Sequence, residues 1–179
     1  MIYSILNITY TRDGKEKNNM AKNKKAIYSG TFDPITNGHI DILKRALKVY
    51  DEVILAVATS AAKQPMFNIN TRLKIIQEAT KDIKGVSAKS FDSLIVDFAQ
   101  KENVYSIIRG LRTTTDFEYE LQMSYANHSL DAEIDTIFLM PALENAFVSS
   151  SIVRELIRFE GDFSHLVPHE VIDLIKKGN

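Results

Sequence analysis

From residue 24 onward, apolar positions along the chain switch repeatedly between a strand rhythm and a helical one. Residues 24–30 (KKAIYSG) form a short β-type run ending in glycine, and residues 52–60 (EVILAVATS) are almost continuously apolar. The second pattern is that of a strand covered on both faces. A weaker run at 86–91 (VSAKSF), then 104–110 (VYSIIRG) and 135–141 (DTIFLMP), stopped by Pro141, complete five expected strands. Between the first two, Ile42, Leu43, Ala46, Leu47, Val49 and Tyr50 recur at helical spacing within 39–52. Further helices are expected at 70–83, capped by Asn70 or Thr71, at 93–103, and at 115–130, started with help from Asp116. Serines open the next, at 149–161, which ends at Gly161, and Pro168 stands in the first turn of the last, at 168–179.

Strands alternating with helices predict an α/β fold: a single doubly wound parallel five-stranded sheet with helices on both faces and right-handed crossovers. Ligands of such sheets bind outside the carboxyl ends of the strands, where the strand order reverses. The segments to inspect for chemistry are therefore 29–32, 59–67, 91–95, 109–112 and 141–151.

Composition narrows the classes. A chain of 179 residues, 45% hydrophobic and 25% charged, fits one globular domain. Its formal net charge of -1 supplies no general attraction to nucleic acid or to a membrane surface, and neither is expected as a partner. The chain has no cysteine, which excludes disulfides, thiolate metal sites and thiol nucleophiles and suits a reducing cytoplasm. No apolar run approaches the roughly 18 residues of a membrane-spanning helix. Residues 1–19 lack the marks of a secretory signal. They read either as a short strand (2–10) with a polar linker, or, as preferred here, as a poorly ordered extension ahead of Met20, leaving 20–179 as the domain.

The five strand-end segments carry Thr31, Lys63, Arg109, Arg112 and the triplet Ser149, Ser150 and Ser151. Hydroxyls, cations and helix starts converging on one sheet edge describe a phosphate site. Taken singly, each has a blander use: a serine that only caps its helix, or a cation that is only solvated. His39 follows Thr36, Asn37 and Gly38, and either Thr36 or Asn37 can cap the helix it begins. A positive charge is unwelcome in a first turn unless an anion is near. Either His39 is an ordinary capping or surface histidine, or it is protonated or hydrogen-bond-donating toward phosphate, with Gly38 leaving room for the ligand. Glu120 is a plain helix carboxylate, a ribose acceptor or the holder of an arginine. The Gly-x-x-x-x-Gly-Lys phosphate loop and Gly-x-Gly-x-x-Gly are both absent, and the four histidines are too scattered for a zinc site.

Thr36-x-Gly38-His39, with Gly30-Thr31-Phe32-Asp33-Pro34 before it and Ser149-Ser-Ser-x-x-Arg154 after it, resembles the nucleotidyltransferase superfamily. With Lys63-x-Pro-Met-Phe, Ile108-Arg-Gly-Leu-Arg and Asp116-Phe-Glu-Tyr-Glu in the same order, the chain is similar to bacterial phosphopantetheine adenylyltransferases from about residue 24 to its end. The resemblance implies a Rossmann-like nucleotidyltransferase fold, a cytoplasmic homohexamer, and transfer of AMP from ATP, with Mg²⁺, to 4′-phosphopantetheine. Dephospho-coenzyme A and pyrophosphate are the implied products, in the penultimate step of coenzyme A synthesis, with no covalent enzyme intermediate.

The resemblance further implies that His39 stabilises the transition state and that Thr31 meets both nucleotide and attacking phosphate. Lys63 and Arg109 would hold phosphopantetheine, with Ile95 along its arm. Thr31, Lys63 and Arg112 join His39 in the catalytic set. Phe32, His39, Gly110, Leu111, Arg112 and Glu120, with Asn145, Ala146, Phe147, Val148, Ser149, Ser150 and Ser151, would hold ATP. No protein ligand to a metal is implied. Three positions depart from the family pattern: Ser29 replaces a usual proline, Gln64 a common second basic residue, and Asn145 a frequent aromatic. Two alternatives stand beside this reading. One is a sister enzyme acting on nicotinamide mononucleotide, or on CTP with a polyol phosphate. The other is a nucleotide-binding sensor without catalysis.

Overall fold

The computed structural model describes residues 24–59 and 64–178. The expectations for residues 1–19 and for Lys63 fall outside them. Five strands form one sheet: β1 (Lys25–Gly30), β2 (Glu52–Ala58), β3 (Val86–Phe91), β4 (Ser106–Gly110) and β5 (Asp135–Leu139). All pairings are parallel and the spatial order is β3-β2-β1-β4-β5. The fold is thus the expected doubly wound α/β sheet. Its order reverses beside β1, where β2 lies on one flank and β4 on the other, and that places the switch point at the ends of β1 and β4.

Alternate residues of the central strands feed two cores. Ala26, Tyr28, Val53, Leu55, Val57 and Ile108 point into one, and Ile27, Ile54, Ala56 and Ile107 into the other. Burial on both faces is why β2 reads as an almost unbroken apolar run. Six helices surround the sheet: α1 (Asn37–Ala46), α2 (Ile69–Thr80), α3 (Ile95–Glu102), α4 (Thr114–Leu130), α5 (Ser150–Arg158) and α6 (Ile172–Gly178). The first core takes Ile42, Leu43 and Ala46 from α1, Ile75 and Ile76 from α2, Val153 and Ile157 from α5, and Ile175 from α6. Val96, Phe98 and Ala99 of α3 close the second. Helix α4, the longest, has no buried residue.

Several helix ends differ from the sequence reading. The first helix stops at Ala46 instead of continuing to 52, because Leu47 to Tyr50 fold back in a turn with Val49 and Tyr50 N–H donating to Ala46 O. Helix α2 is capped neither by Asn70 nor by Thr71; the Asn68 side chain accepts from Thr71 N–H at 2.9 Å. Thr113 caps α4, and Asp116 instead takes the backbone and side-chain N–H groups of Arg112. Beyond Pro168 the chain makes a 3₁₀ turn (His169–Val171) before α6 begins. Past α5, Glu160 rather than Gly161 adopts the left-handed conformation (φ 54°).

Candidate active site

A cleft of about 610 Å³ opens at the carboxyl edge of the sheet, over the switch point. Its volume suits a cofactor-sized ligand. Thr31, Phe32 and His39 line it from β1 and the start of α1, Arg109, Gly110 and Arg112 from the end of β4, Ile95 from α3 and Glu120 from α4. Val148, Ser149, Ser150 and Ser151 complete that wall at the start of α5. Leu111, Asn145, Ala146 and Phe147 are not on the cleft wall. Leu111 continues the strand pairing through its N–H to Leu139 O (2.9 Å), and Phe147 is exposed to solvent.

His39 is fixed by the cap of its own helix. Thr36, fully buried, is the N-cap, and its backbone N–H donates to His39 Nδ1 at 3.0 Å. In return, Thr36 Oγ1 accepts from His39 N–H at 3.4 Å. This is a capping box in which imidazole replaces the usual Glu or Gln at the third helical position. Because Nδ1 accepts, the ring proton of the neutral imidazole sits on Nε2, which is left to donate into the cleft. Desolvation, then the guanidinium groups of Arg112 and Arg109, push the His39 pKa down to about 3. The sequence left open a protonated or a merely donating histidine, and the geometry favours the neutral donor. Phe32 holds the ring from the side, edge-on at 5.1 Å between centroids. Phe32 is itself fully buried with φ 46°, a conformation that costs a bulky residue about 1–2 kcal/mol.

Gly38 lines the cleft and also serves packing within the chain. A Cβ there would lie 3.2 Å from Val148 O and 3.4 Å from Asn145 O, so its neighbours are carbonyls of this chain. The glycine lets the turn before α5 pass closely over the first turn of α1. Asp41 fastens the same turn, accepting from Ala142 N–H and from the Asn145 side chain. That Asn145 amide is turned toward α1.

The three serines divide their work. Ser149 caps α5 and accepts from Ile152 N–H. Ser150 donates to Pro34 O (2.8 Å), and Ser151 Oγ accepts from Arg154 Nη2 (3.1 Å). Arg154 also donates to Asp33 O at 2.7 Å. The motif thus ties the start of α5 to the loop after β1 and brings two helix N-termini, those of α1 and α5, to one cleft. Paired positive dipole ends of this kind suit a polyphosphate.

Arg109 is the most constrained of the exposed-edge cations. Glu120 receives both its Nε and Nη2, and Ser29 takes Nη1 through its carbonyl O (2.7 Å) and Oγ (2.9 Å). Glu120 therefore holds an arginine, one of the three uses the sequence left open. Four of five guanidinium N–H groups are engaged, leaving one for a ligand.

Sequence reasoning missed two residues behind the cleft. Asp33 is buried, and its carboxylate accepts from Met66 N–H (2.8 Å) and Phe67 N–H (2.9 Å). Arg72 of α2 is 1% exposed and bonded to backbone carbonyls at the strand ends. A signal for Arg72 existed: it lies one helical turn before the buried Ile75 and Ile76, on the apolar stripe of α2.

Comparison with known proteins adds identity to this geometry. The family model described as cytidylyltransferase-like matches residues 27–156. The chain is 57% identical over 148 residues to the phosphopantetheine adenylyltransferase of Nautilia profundicola, covering 83% of this chain and 96% of that one. It is 52% identical over 153 residues to the phosphopantetheine adenylyltransferase of Campylobacter curvus, and 53% over 154 to that of Helicobacter pylori. In both cases 86% of this chain and 98% of the relative are covered.

Proposed function

The chain belongs to the cytidylyltransferase-like family and, within it, to the phosphopantetheine adenylyltransferases, nucleotidyltransferases of coenzyme A biosynthesis; from that premise we propose how it transfers the adenylyl group of ATP to 4′-phosphopantetheine. A phosphate oxygen of phosphopantetheine attacks the α-phosphorus of ATP in line. One P–O bond forms, the bond to the β-phosphate bridging oxygen breaks, and pyrophosphate leaves as dephospho-coenzyme A is made. The attacking group is already an anion, so the step needs no base, only alignment and charge stabilisation.

The observation that carries this reading is the His39 capping box. A neutral imidazole with its proton on Nε2 donates to the phosphate oxygen that gains charge, beside the positive end of α1. Thr31, between the two, contacts nucleotide and acceptor. The starts of α1 and α5 and Arg112 take the ATP phosphates; Arg109 offers its free N–H to the acceptor phosphate, together with Lys63. Ile95 lies along the acceptor arm. Mg²⁺ would enter with ATP as part of the substrate and would supply charge neutralisation at its phosphates.

Self-association belongs to the same reading, with a hexamer as the expected size and the cytoplasm as the compartment. Helix α4 exposes Phe117, Tyr119 and Tyr125 with none of its residues buried, and Leu143 is 91% exposed nearby in the chain. A second copy would cover that surface. Sedimentation showing only monomer at micromolar concentration would overturn this part.

A pyrophosphate-release assay tests the whole. ATP with phosphopantetheine is expected to turn over. Nicotinamide mononucleotide with ATP, and a polyol phosphate with CTP, are expected to be poor pairs. Turnover with another pair and none with phosphopantetheine would refute the proposed acceptor; ATP binding without any pyrophosphate would refute catalysis.

A further inference from the structure

Among the described residues Arg72 is the largest fully buried side chain, and it is charged. Its guanidinium donates to four backbone carbonyls: Nε to Phe67 O (3.0 Å), Nη1 to Thr31 O (2.7 Å) and Ala58 O (2.8 Å), and Nη2 to Thr59 O (3.3 Å). Among the described residues no carboxylate lies within ion-pair distance of it, and Asp33 balances the charge only at longer range. Burying a cation costs several kcal/mol unless its donors are well satisfied. A leucine on the same apolar stripe would avoid that cost.

What the arginine does that leucine cannot is bind three separate segments at once. Thr31 follows β1, Ala58 and Thr59 end β2, and Phe67 precedes α2. The Thr31, Ala58 and Thr59 carbonyls lie at the carboxyl edge of the sheet, beyond Gly30↔Val57, the last pair of the β1–β2 ladder. The planar fork fixes their mutual positions, a geometry that the compact ammonium of lysine cannot reproduce. From the other side, Asp33 binds Met66 and Phe67 N–H, so one loop is gripped by a buried anion and a buried cation.

We propose that Arg72 is a positioning residue for adenylyl transfer, setting through the Thr31 carbonyl where the Thr31 side chain stands in the cleft. The inference rests on the reading of Thr31 as the residue between nucleotide and acceptor. An error there would show first in the wild-type assay, whatever Arg72 does. Displacement of a reacting group by about 1 Å can cost on the order of 100-fold in rate, so a residue that touches no substrate can weigh heavily.

The test is a double-mutant cycle on the full chain with Arg72→Lys, Arg72→Gln and Thr31→Ala, read as kcat and KM for each substrate, with thermal melts alongside. Ile75→Val serves as a control that loosens the same helix without touching the carbonyls. Arg72→Lys is expected to remain folded and to lower kcat by roughly 10- to 100-fold, while the control leaves kcat within about 3-fold. In the Thr31→Ala background, Arg72→Lys is expected to cost less than about 3-fold, because the group it positions is gone. Equal losses in both backgrounds would overturn the proposal, as would losses that merely track the unfolded fraction. Failure of both Arg72 variants to fold would also overturn it, by showing that the residue serves the fold and not the site.

Discussion

The two flanks of the switch point are built on opposite principles. On the β1–β2 flank, Asp33 and Arg72 are buried and hydrogen-bond to backbone groups, with Arg154 a side-chain ion partner of Asp33 at 3.6 Å. On the β4–α4 flank, Arg109 and Glu120 pair side chain to side chain with 26% and 12% of those side chains exposed, on a helix that buries nothing. A backbone partner has no rotamer to change, so the first flank holds one geometry. A side-chain pair at the rim of a cleft has rotamers to spend and water at hand. In the proposed reaction the first flank would hold Thr31 in place, and the second would let Arg109 adjust to the acceptor phosphate.

The largest expected effect lies on the rigid flank and in the chemistry. His39→Ala should lower kcat by about 10²- to 10³-fold while the KM for ATP changes by less than about 3-fold, since its donor acts on charge present only in the transition state. Steady-state kinetics decide it, and equal kcat values would refute the assignment. Next, Asp33→Ala should cost about 3 kcal/mol of stability by stranding Met66 and Phe67 N–H, seen as a melting point lower by roughly 9 °C. On the other flank, Glu120→Ala should raise the acceptor KM about 10-fold and move the melting point by less than about 3 °C. If the Asp33 variant lost only acceptor affinity and the Glu120 variant only stability, the contrast between flanks would be wrong.

The smallest effect concerns protons. His39 is ordinarily protonated below about 6.5, but in the folded chain only below about 3. Between these values the unfolded chain takes up a proton that the folded chain refuses. Stability contributed by the neutral ring is therefore complete above pH 6.5 and is lost on acidification, by at most about 1.4 kcal/mol per pH unit. Imidazole NMR from pH 8 to 5 should show no titration of His39 in the native enzyme. A shift centred near 6.5 would remove the neutral donor.

How much of this was legible in the sequence depended on what each residue faces. The strands could be read to within a residue or two because burial on both faces removes polar residues from the run, as in 53–57. Thr31, His39, Arg109 and Ser149 could be placed at one edge because the topology fixes where strands end. Helix boundaries were less legible: Asn68 and Asn70 are equally good caps on composition, and tertiary packing selects Asn68. Arg72 escaped because a charged residue is read as solvated, and the carbonyls that satisfy it come from segments 5 to 41 residues away. Gly38 could be read only for the room it leaves a ligand; its contact with Val148 and Asn145 was not legible, since only the folded chain brings them over it.

That close passage has a mechanical consequence. With the Val148 and Asn145 carbonyls passing this close to Gly38, the spacing between the starts of α1 and α5 is limited by packing as well as held by the Asp41 and Ser150 hydrogen bonds. The two dipole ends then behave as the jaws of a caliper, whose smallest gap is set by the backbone itself. One added methyl at position 38 would act as a shim, opening the jaws by a few tenths of an ångström without altering a single charge.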